Sequence, residues 1–238
     1  MVETYKIIAD INELQSFIMN ILPDLKENEG YYVCLFARNK YCKELTHIKS
    51  DKAQLKRFTT NKEKLIEKLQ QLEVPIGSYK QKELIVPQEA LGVYISINPR
   101  NYIKAAHRSL ITLSTLIGKG AQGYNPHQHV MSDIQRSCSR KVYTDFDFDF
   151  DPTSHLLFDN IEGRILSYIK EYINIEAIIP IRTRGGIHLL VNHSKIDLKY
   201  KNTWYQGLNS HGPDQVGDLL LPIPGCYQGG LNFYPRFI

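Results

Sequence analysis

Apolar and polar positions alternate along this chain with two different periods, and each change of period marks a new element. Over residues 11–22, Leu14, Phe17, Ile18, Ile21 and Leu22 fall at helical spacing; Pro23 ends the run, and Asn28 with Gly30 marks the turn beyond it. Tyr31-Tyr32-Val33-Cys34-Leu35-Phe36-Ala37 is an unbroken apolar run of strand length. Residues 51–72 set Leu55, Phe58, Leu65, Leu69 and Leu72 along one side of a charged amphipathic helix, which Pro75 and Gly77 break. Residues 91–97 predict another strand, closed by Asn98-Pro99-Arg100. A helix with Ala105, Ala106, Leu110, Leu113 and Leu116 follows. Residues 118–126 read as a loop without the spacing or the Lys-Ser/Thr ending of a P-loop.

After residue 140 the period shortens to two. Residues 142–150 predict a strand, and a helix is expected over about 158–172. Two apolar runs, 177–182 and 187–192, flank Thr183-Arg184-Gly185-Gly186, a tight hairpin signal. A helix over 195–208 and a strand over 218–223 lead into Pro224-Gly225. Tight hairpins imply antiparallel pairing, so the expected class is α+β rather than a doubly wound parallel sheet. No repeat or linker divides the chain. Residues 1–135 form an N-terminal α/β portion and 136–238 carry the chemistry, two parts that can make one continuous domain.

Composition adds limits. The hydrophobic share of 42% and charged share of 23% are those of a globular chain. A net charge of +4 permits a polyanionic partner. Cys34, Cys42, Cys138 and Cys226 are scattered without a CxxC pair, which argues against both a disulfide framework and a zinc ribbon. The opening residues lack a signal-peptide profile, and no run approaches the roughly 18 apolar residues of a membrane span. A reducing cytoplasm is the expected location, with no membrane partner.

The chemistry concentrates in Asp145-Phe146-Asp147-Phe148-Asp149-Phe150-Asp151. On a strand the phenylalanines enter the core and the carboxylates line up on the opposite face. Carboxylates two apart sit roughly 6.5–7 Å from each other, so each adjacent pair repels by about 2–3 kcal/mol at an effective dielectric near 20. Mg²⁺ or Mn²⁺ is the natural counter-charge, because these ions prefer oxygen ligands. The plainer alternative is a solvated acidic edge strand. His188 is the polar residue of Ile187-His188-Leu189-Leu190-Val191. Arg182 and Arg184 precede it, and Gly185-Gly186 allows close backbone approach to a phosphate. Asp214 and Asp218, ordinary turn or cap residues if taken singly, are candidates to complete a two-metal site with the strand. His127-Gln128-His129 with Cys138 is a weaker metal candidate, and a polar loop or turn is the preferred reading.

The order of these parts resembles the catalytic core of the archaeo-eukaryotic primase superfamily, the primase-polymerases. Val142-Tyr143-Thr144-Asp145-Phe146-Asp147 is similar to that family's hydrophobic-Asp-x-Asp strand, and Gly186-Ile187-His188 to its small-x-His strand. Leu221-Pro222-Ile223-Pro224-Gly225 is similar to the Pro-Gly-Thr segment that follows a third acid, with Cys226 in place of Thr and no basic residue just beyond. The resemblance covers about residues 140–230. It implies an RRM-like antiparallel catalytic sheet packed against the N-terminal α/β portion. It also implies two divalent ions, Mg²⁺ or Mn²⁺, on Asp145 and Asp147 with Asp214 or Asp218; Asp149 has no counterpart in the family and is read as an extra ligand or a solvated neighbour. His188 would contact the triphosphate, helped by Arg182, Arg184, Gly185 and Gly186. Template phosphates would be met by Arg100, Lys104, His107 and Arg108.

The implied function is a DNA primase or primase-polymerase. It would transfer nucleotides from NTP or dNTP onto primers on single-stranded DNA unwound by a separate replicative helicase. A small enzyme of this kind suits a phage or mobile element acting in a bacterial or phage-infected cytoplasm. A metal-dependent nuclease using the same aspartates, and a non-catalytic nucleic-acid-binding module, stay open beside it.

Overall fold

The computed structural model describes residues 3–42, 53–81, 83–120, 123–149 and 169–238. In chain order the strands are β1 (Glu29–Ala37), β2 (Ala53–Thr60), β3 (Lys80–Gln81), β4 (Leu84–Ile85), β5 (Leu91–Ser96) and β6 (Arg100–Asn101). They continue with β7 (Tyr143–Asp149), β8 (Ile178–Arg182), β9 (Gly186–Asn192), β10 (Gln215–Gly217), β11 (Leu220–Pro222) and β12 (Arg236–Phe237). The helices are α1 (Ile11–Asn20), α2 (Lys62–Gln70), α3 (Tyr102–Lys119), α4 (Pro126–Arg136) and α5 (Trp204–Asn209). The protein is α+β, with antiparallel sheets. Among the described residues no helix is long and apolar enough to cross a membrane.

β1 is buried along its whole length, so its backbone groups must find strand partners on both edges. β5 supplies one edge, pairing Ile95 to Leu91 with Val33 to Ala37. β2 supplies the other, which overturns the expectation of one helix over 51–72. The demand of a buried edge outweighs helical spacing in residues 53–60, which end in the β-branched pair Thr59-Thr60. Asn61 then caps α2 by accepting from the Lys64 amide, and Leu65 and Leu69 are buried as expected. α1 starts where the Asp10 carboxylate accepts from the Asn12 and Glu13 amides (2.9 and 3.1 Å), and it buries Leu14, Phe17 and Ile18.

The first sheet runs β11-β5-β1-β2 with β6 also on β1; the second runs β10-β7-β9-β8-β12. The division falls near residue 140 with one exchange, because β11 returns from the C-terminal part to pair with β5. The strand expected over 218–223 is therefore the shorter β11 on β5, and just before it β10, which was not expected, pairs with β7 in the other sheet. Gly217, at φ 140°, makes the change of direction that an L residue would resist. Asn98 fastens the two halves. Its amide donates to the Tyr143 carbonyl (2.9 Å), and its side-chain oxygen accepts from the Val142 and Tyr143 amides (2.8 and 2.9 Å).

Two other expectations change. Residues 127–129 are not loop but the first turn of α4, with Pro126 at its start and Asn125 as its cap. The helix expected over 195–208 is a pair of 3₁₀ turns, His193–Lys195 and Leu198–Tyr200, before α5. Local side-chain bonds compete with the helix there: Asn192 accepts from the Ser194 amide, and Asn174 from the Asp197 amide. α3 forms where expected, with Leu110 and Leu113 62% and 42% exposed. Phe150, Asp151 and most of the helix expected over 158–172 lie outside the described residues.

Candidate active site

β7 is the second strand of its sheet, with β10 on one side and β9 on the other. The alternation places its residues as the sequence reading has it. Phe146 and Phe148 enter a core with Ile169, Ile173 and Leu208. Tyr143, Asp145, Asp147 and Asp149 occupy the other face, where Tyr143, Leu190 and Ile181 continue into the core of the first sheet. That face thus runs from apolar at Tyr143 to acidic at Asp149.

His188 stands directly across from Asp147 in the β7–β9 register. Its Nδ1 donates to Asp145 (2.9 Å to Oδ2), and its Nε2 lies 3.2 Å from Asp147 Oδ1. Two carboxylates on two ring nitrogens favour the imidazolium, whose nitrogens both donate. Burial alone would lower the His188 pKa; the charge and hydrogen bond of Asp145, with Asp147 and Asp149, outweigh it and raise the pKa above 6.5. Asp147 is pushed above the usual carboxylate value, mainly by burial. The His188 charge opposes that push, and the neighbouring carboxylates add to it.

Glycines bring β9 close to β7. A Cβ on Gly186 would run into the Phe148 carbonyl, and one on Gly185 would come 2.8 Å from Asp149 Oδ1. Of the Gly-Gly pair expected to admit a ligand, Gly186 is thus required first by strand packing, whereas Gly185 meets only the movable end of Asp149.

A cleft of about 500 Å³ opens between the two sheets. From the second sheet come Asp147, Asp149, His188 and Gln215; from the first come Phe36 and Tyr94, with Arg38 and Lys40 just after β1 and Arg136 at the end of α4. The Arg38 guanidinium donates to the Tyr94 hydroxyl (2.6 Å) and lies 5.3 Å from that ring's centre. Tyr41 bonds the same hydroxyl (2.6 Å) and accepts from Gln228 (2.7 Å). Lys40 is 3.8 Å from Asp149. Acidic side chains therefore face cationic ones across the cleft.

The remaining sequence candidates divide. Asp145, 0% exposed, sits behind His188 rather than in the cleft. Asp214 is exposed at the sheet edge, where its carboxylate accepts from the Asp149 amide (2.8 Å). Asp218 reaches the cleft wall but is engaged by the Arg100 guanidinium and the Asn98 amide. Arg100, expected to meet a template, is 2% exposed and committed to that pair; a buried guanidinium cannot serve an open phosphate track. Lys104 donates to the Cys138 and Ser139 carbonyls, and Arg108 is exposed on α3. Arg184 bonds the Gly229 carbonyl and stacks over Tyr41 (5.4 Å). Arg182 is on β8 opposite Ile187, so its side chain leaves from the face away from His188. The Pro-Gly loop packs on α1: a Cβ on Gly225 would come 2.6 Å from the Leu14 amide.

Arg38, Lys40, Tyr41, Tyr94 and Gln228 escaped the sequence reading. Arg38-Asn39-Lys40-Tyr41, a basic and aromatic run at the end of a buried strand, was the available signal. Among the described residues, no group of three or more His, Cys, Asp or Glu side chains is gathered as a metal site, His127, His129 and Cys138 included. No protein-family model, curated protein or solved structure matches the chain.

Proposed function

We propose that this chain is a nucleotidyltransferase of the primase-polymerase kind, adding nucleotides from NTP or dNTP to primers on single-stranded DNA that a separate helicase unwinds. In this reading the β10-β7-β9-β8 sheet is the RRM-like catalytic unit of the archaeo-eukaryotic primase superfamily, and the first sheet is its N-terminal partner. The observation that carries the proposal is the cleft in which Asp147, Asp149 and His188 face Arg38, Lys40 and Arg136. A triphosphate has charge to be met from both walls, by cationic side chains on one and by cations held on carboxylates on the other.

Asp147 and Asp149 fit Mg²⁺ or Mn²⁺, which commonly take one or two carboxylates and complete their shell with phosphate oxygens and water. Ions of this kind, when bound, lower the pKa of an attacking 3′-hydroxyl and offset charge on the leaving pyrophosphate. Asp145 holds the His188 ring by Nδ1, and Nε2–H faces Asp147 at 3.2 Å, so a phosphate oxygen bound beside Asp147 would have to share that donor with the carboxylate. Arg38 and Lys40 offset negative charge from the opposite wall, and Tyr94 and Tyr41 orient Arg38. Arg108 and Lys104 are the remaining candidates for template phosphates.

The test is incorporation of labelled nucleotide on primed and unprimed single-stranded DNA with Mg²⁺ or Mn²⁺. Asp147→Asn and Asp149→Asn should each lower incorporation by about 100-fold or more. Asp214→Asn should stay within about twofold of wild type. Absence of product on both templates overturns the proposal, and template cleavage without nucleotide replaces it with a nuclease.

A further inference from the structure

Lys40 carries a positive charge across the cleft to the acidic wall. It belongs to a 3₁₀ turn, Asn39–Tyr41, whose backbone is held on both sides. The Arg38 amide donates to the Ala90 carbonyl (2.8 Å), and the Tyr41 hydroxyl is hydrogen-bonded to Tyr94 and Gln228 (2.6 and 2.7 Å). From that base the Lys40 ammonium comes within 3.8 Å of Asp149 Oδ2. It lies equally close, 3.8 Å, to the place a Cβ on Gly185 would take. Its charge is also felt at Asp147, where it opposes the rise in pKa. The ammonium thus stands at the Asp149 end of the acidic row, against the carboxylates read above as holders of a divalent ion.

The contact is built to be broken. The Lys40 and Asp149 side chains are 42% and 47% exposed, and a pair so open to solvent is weak. Lysine carries a compact charge on a flexible stem. Asp149 is the fixed partner, held by the β7–β9 register and by its amide, which donates to Asp214 (2.8 Å). A divalent ion on the Asp149 carboxylate brings twice the ammonium's charge to the same oxygens and repels the ammonium at short range. A triphosphate beside that ion offers the displaced ammonium new anionic oxygens within the same cleft. We propose that Lys40 is an exchangeable counter-ion. It holds Asp149 before a divalent ion binds, gives way to the ion, and then turns to the triphosphate. The inference rests on the reading of Asp147 and Asp149 as ligands of that ion.

The test is Mn²⁺ binding to the full chain without nucleotide, followed by the EPR signal of the free ion, for wild type, Lys40→Met and Lys40→Arg. Lys40→Met removes the competing charge and keeps most of the stem, so Mn²⁺ should bind about threefold more tightly or better. In saturating Mn²⁺ the same variant should bind dATP about threefold more weakly or worse, read by calorimetry. Lys40→Arg keeps the charge and should stay near wild type in both measurements. A general structural defect would weaken both affinities together, whereas exchange moves them in opposite directions. Circular dichroism checks that the variants fold as wild type does. Equal Mn²⁺ affinity in wild type and Lys40→Met overturns the inference and leaves the metal reading standing. So does a Lys40→Met chain that loses affinity for Mn²⁺ and dATP alike. Wild type and Lys40→Met that both fail to bind Mn²⁺ overturn the metal reading, and the inference with it.

Discussion

Replacing Asp218 by Asn separates two roles for this residue, a metal ligand in the cleft and the counter-ion of Arg100. The guanidinium is 2% exposed, and Asp218 is 19% exposed at its side chain. Asp218 accepts from Arg100 Nη2 at 3.0 Å, from Nη1, and from Asn98 Nδ2 at 2.9 Å. Asn keeps an acceptor but removes the charge, leaving a buried guanidinium without its anion. Loss of one member of a buried pair costs about 3–5 kcal/mol; the partial exposure of Asp218 puts the expected loss near the lower figure. In a chain of this size that is a fall of about 6–12 °C in Tm. The assay is urea and thermal unfolding followed by circular dichroism in EDTA, with wild type and Asp218→Asn side by side. The double variant Arg100→Met/Asp218→Leu removes both charges and should recover most of the loss, because an apolar pair of similar volume needs no compensation. A loss below about 1 kcal/mol for Asp218→Asn would refute the ion-pair argument, since exposed pairs have that value. If Mg²⁺ then stabilised wild type but not the variant, Asp218 would return to the metal site.

Two further outcomes follow from the same structure. Asn98→Ala leaves the Val142 and Tyr143 amides and the Tyr143 carbonyl without partners at a fully buried position, so it should destabilise the chain by about 3 kcal/mol or more in urea unfolding. His193, half-buried, forms a 2.7 Å hydrogen bond with the Thr144 hydroxyl. Its pKa is lowered from 6.5 by burial and then by the Lys141 charge. A depressed histidine contributes stability that is present above its unfolded pKa and lost as pH falls through the folded one. Stability should therefore decline on acidification below about pH 6.5, by less in His193→Gln than in wild type. Histidine NMR titration of the folded chain should place His193 below 6.5, and a value above it would reverse the sign.

Much of the local structure was legible because it depends on local physics. A strand's pleat sends neighbours to opposite faces, so the Asp-Phe alternation alone put Phe146 and Phe148 in a core and Asp147 and Asp149 on the other side. The Gly-Gly turn announced the β8–β9 hairpin, and helical spacing after Asp10 announced α1. Reading 53–60 as helix failed because its side chains satisfy either period, and the unpaired edge of β1 decided between them. Likewise, exposure of Leu110 and Leu113 depends on what packs over α3, which its own periodicity does not specify.

The site depended most on tertiary structure. Sequence determined which residues carry the charge: an acidic strand, a histidine on the next hairpin, and acids before the Pro-Gly loop. Only the fold decided that His188 seals Asp145, that Asp218 finds Arg100 118 residues away, and that Arg38 and Lys40 face Asp147 and Asp149. Those meetings are set by the β7–β9 register and by the return of β11 to the first sheet. Pairings between distant strands are chosen by burial and backbone satisfaction over the whole chain, and no local pattern of residues encodes them.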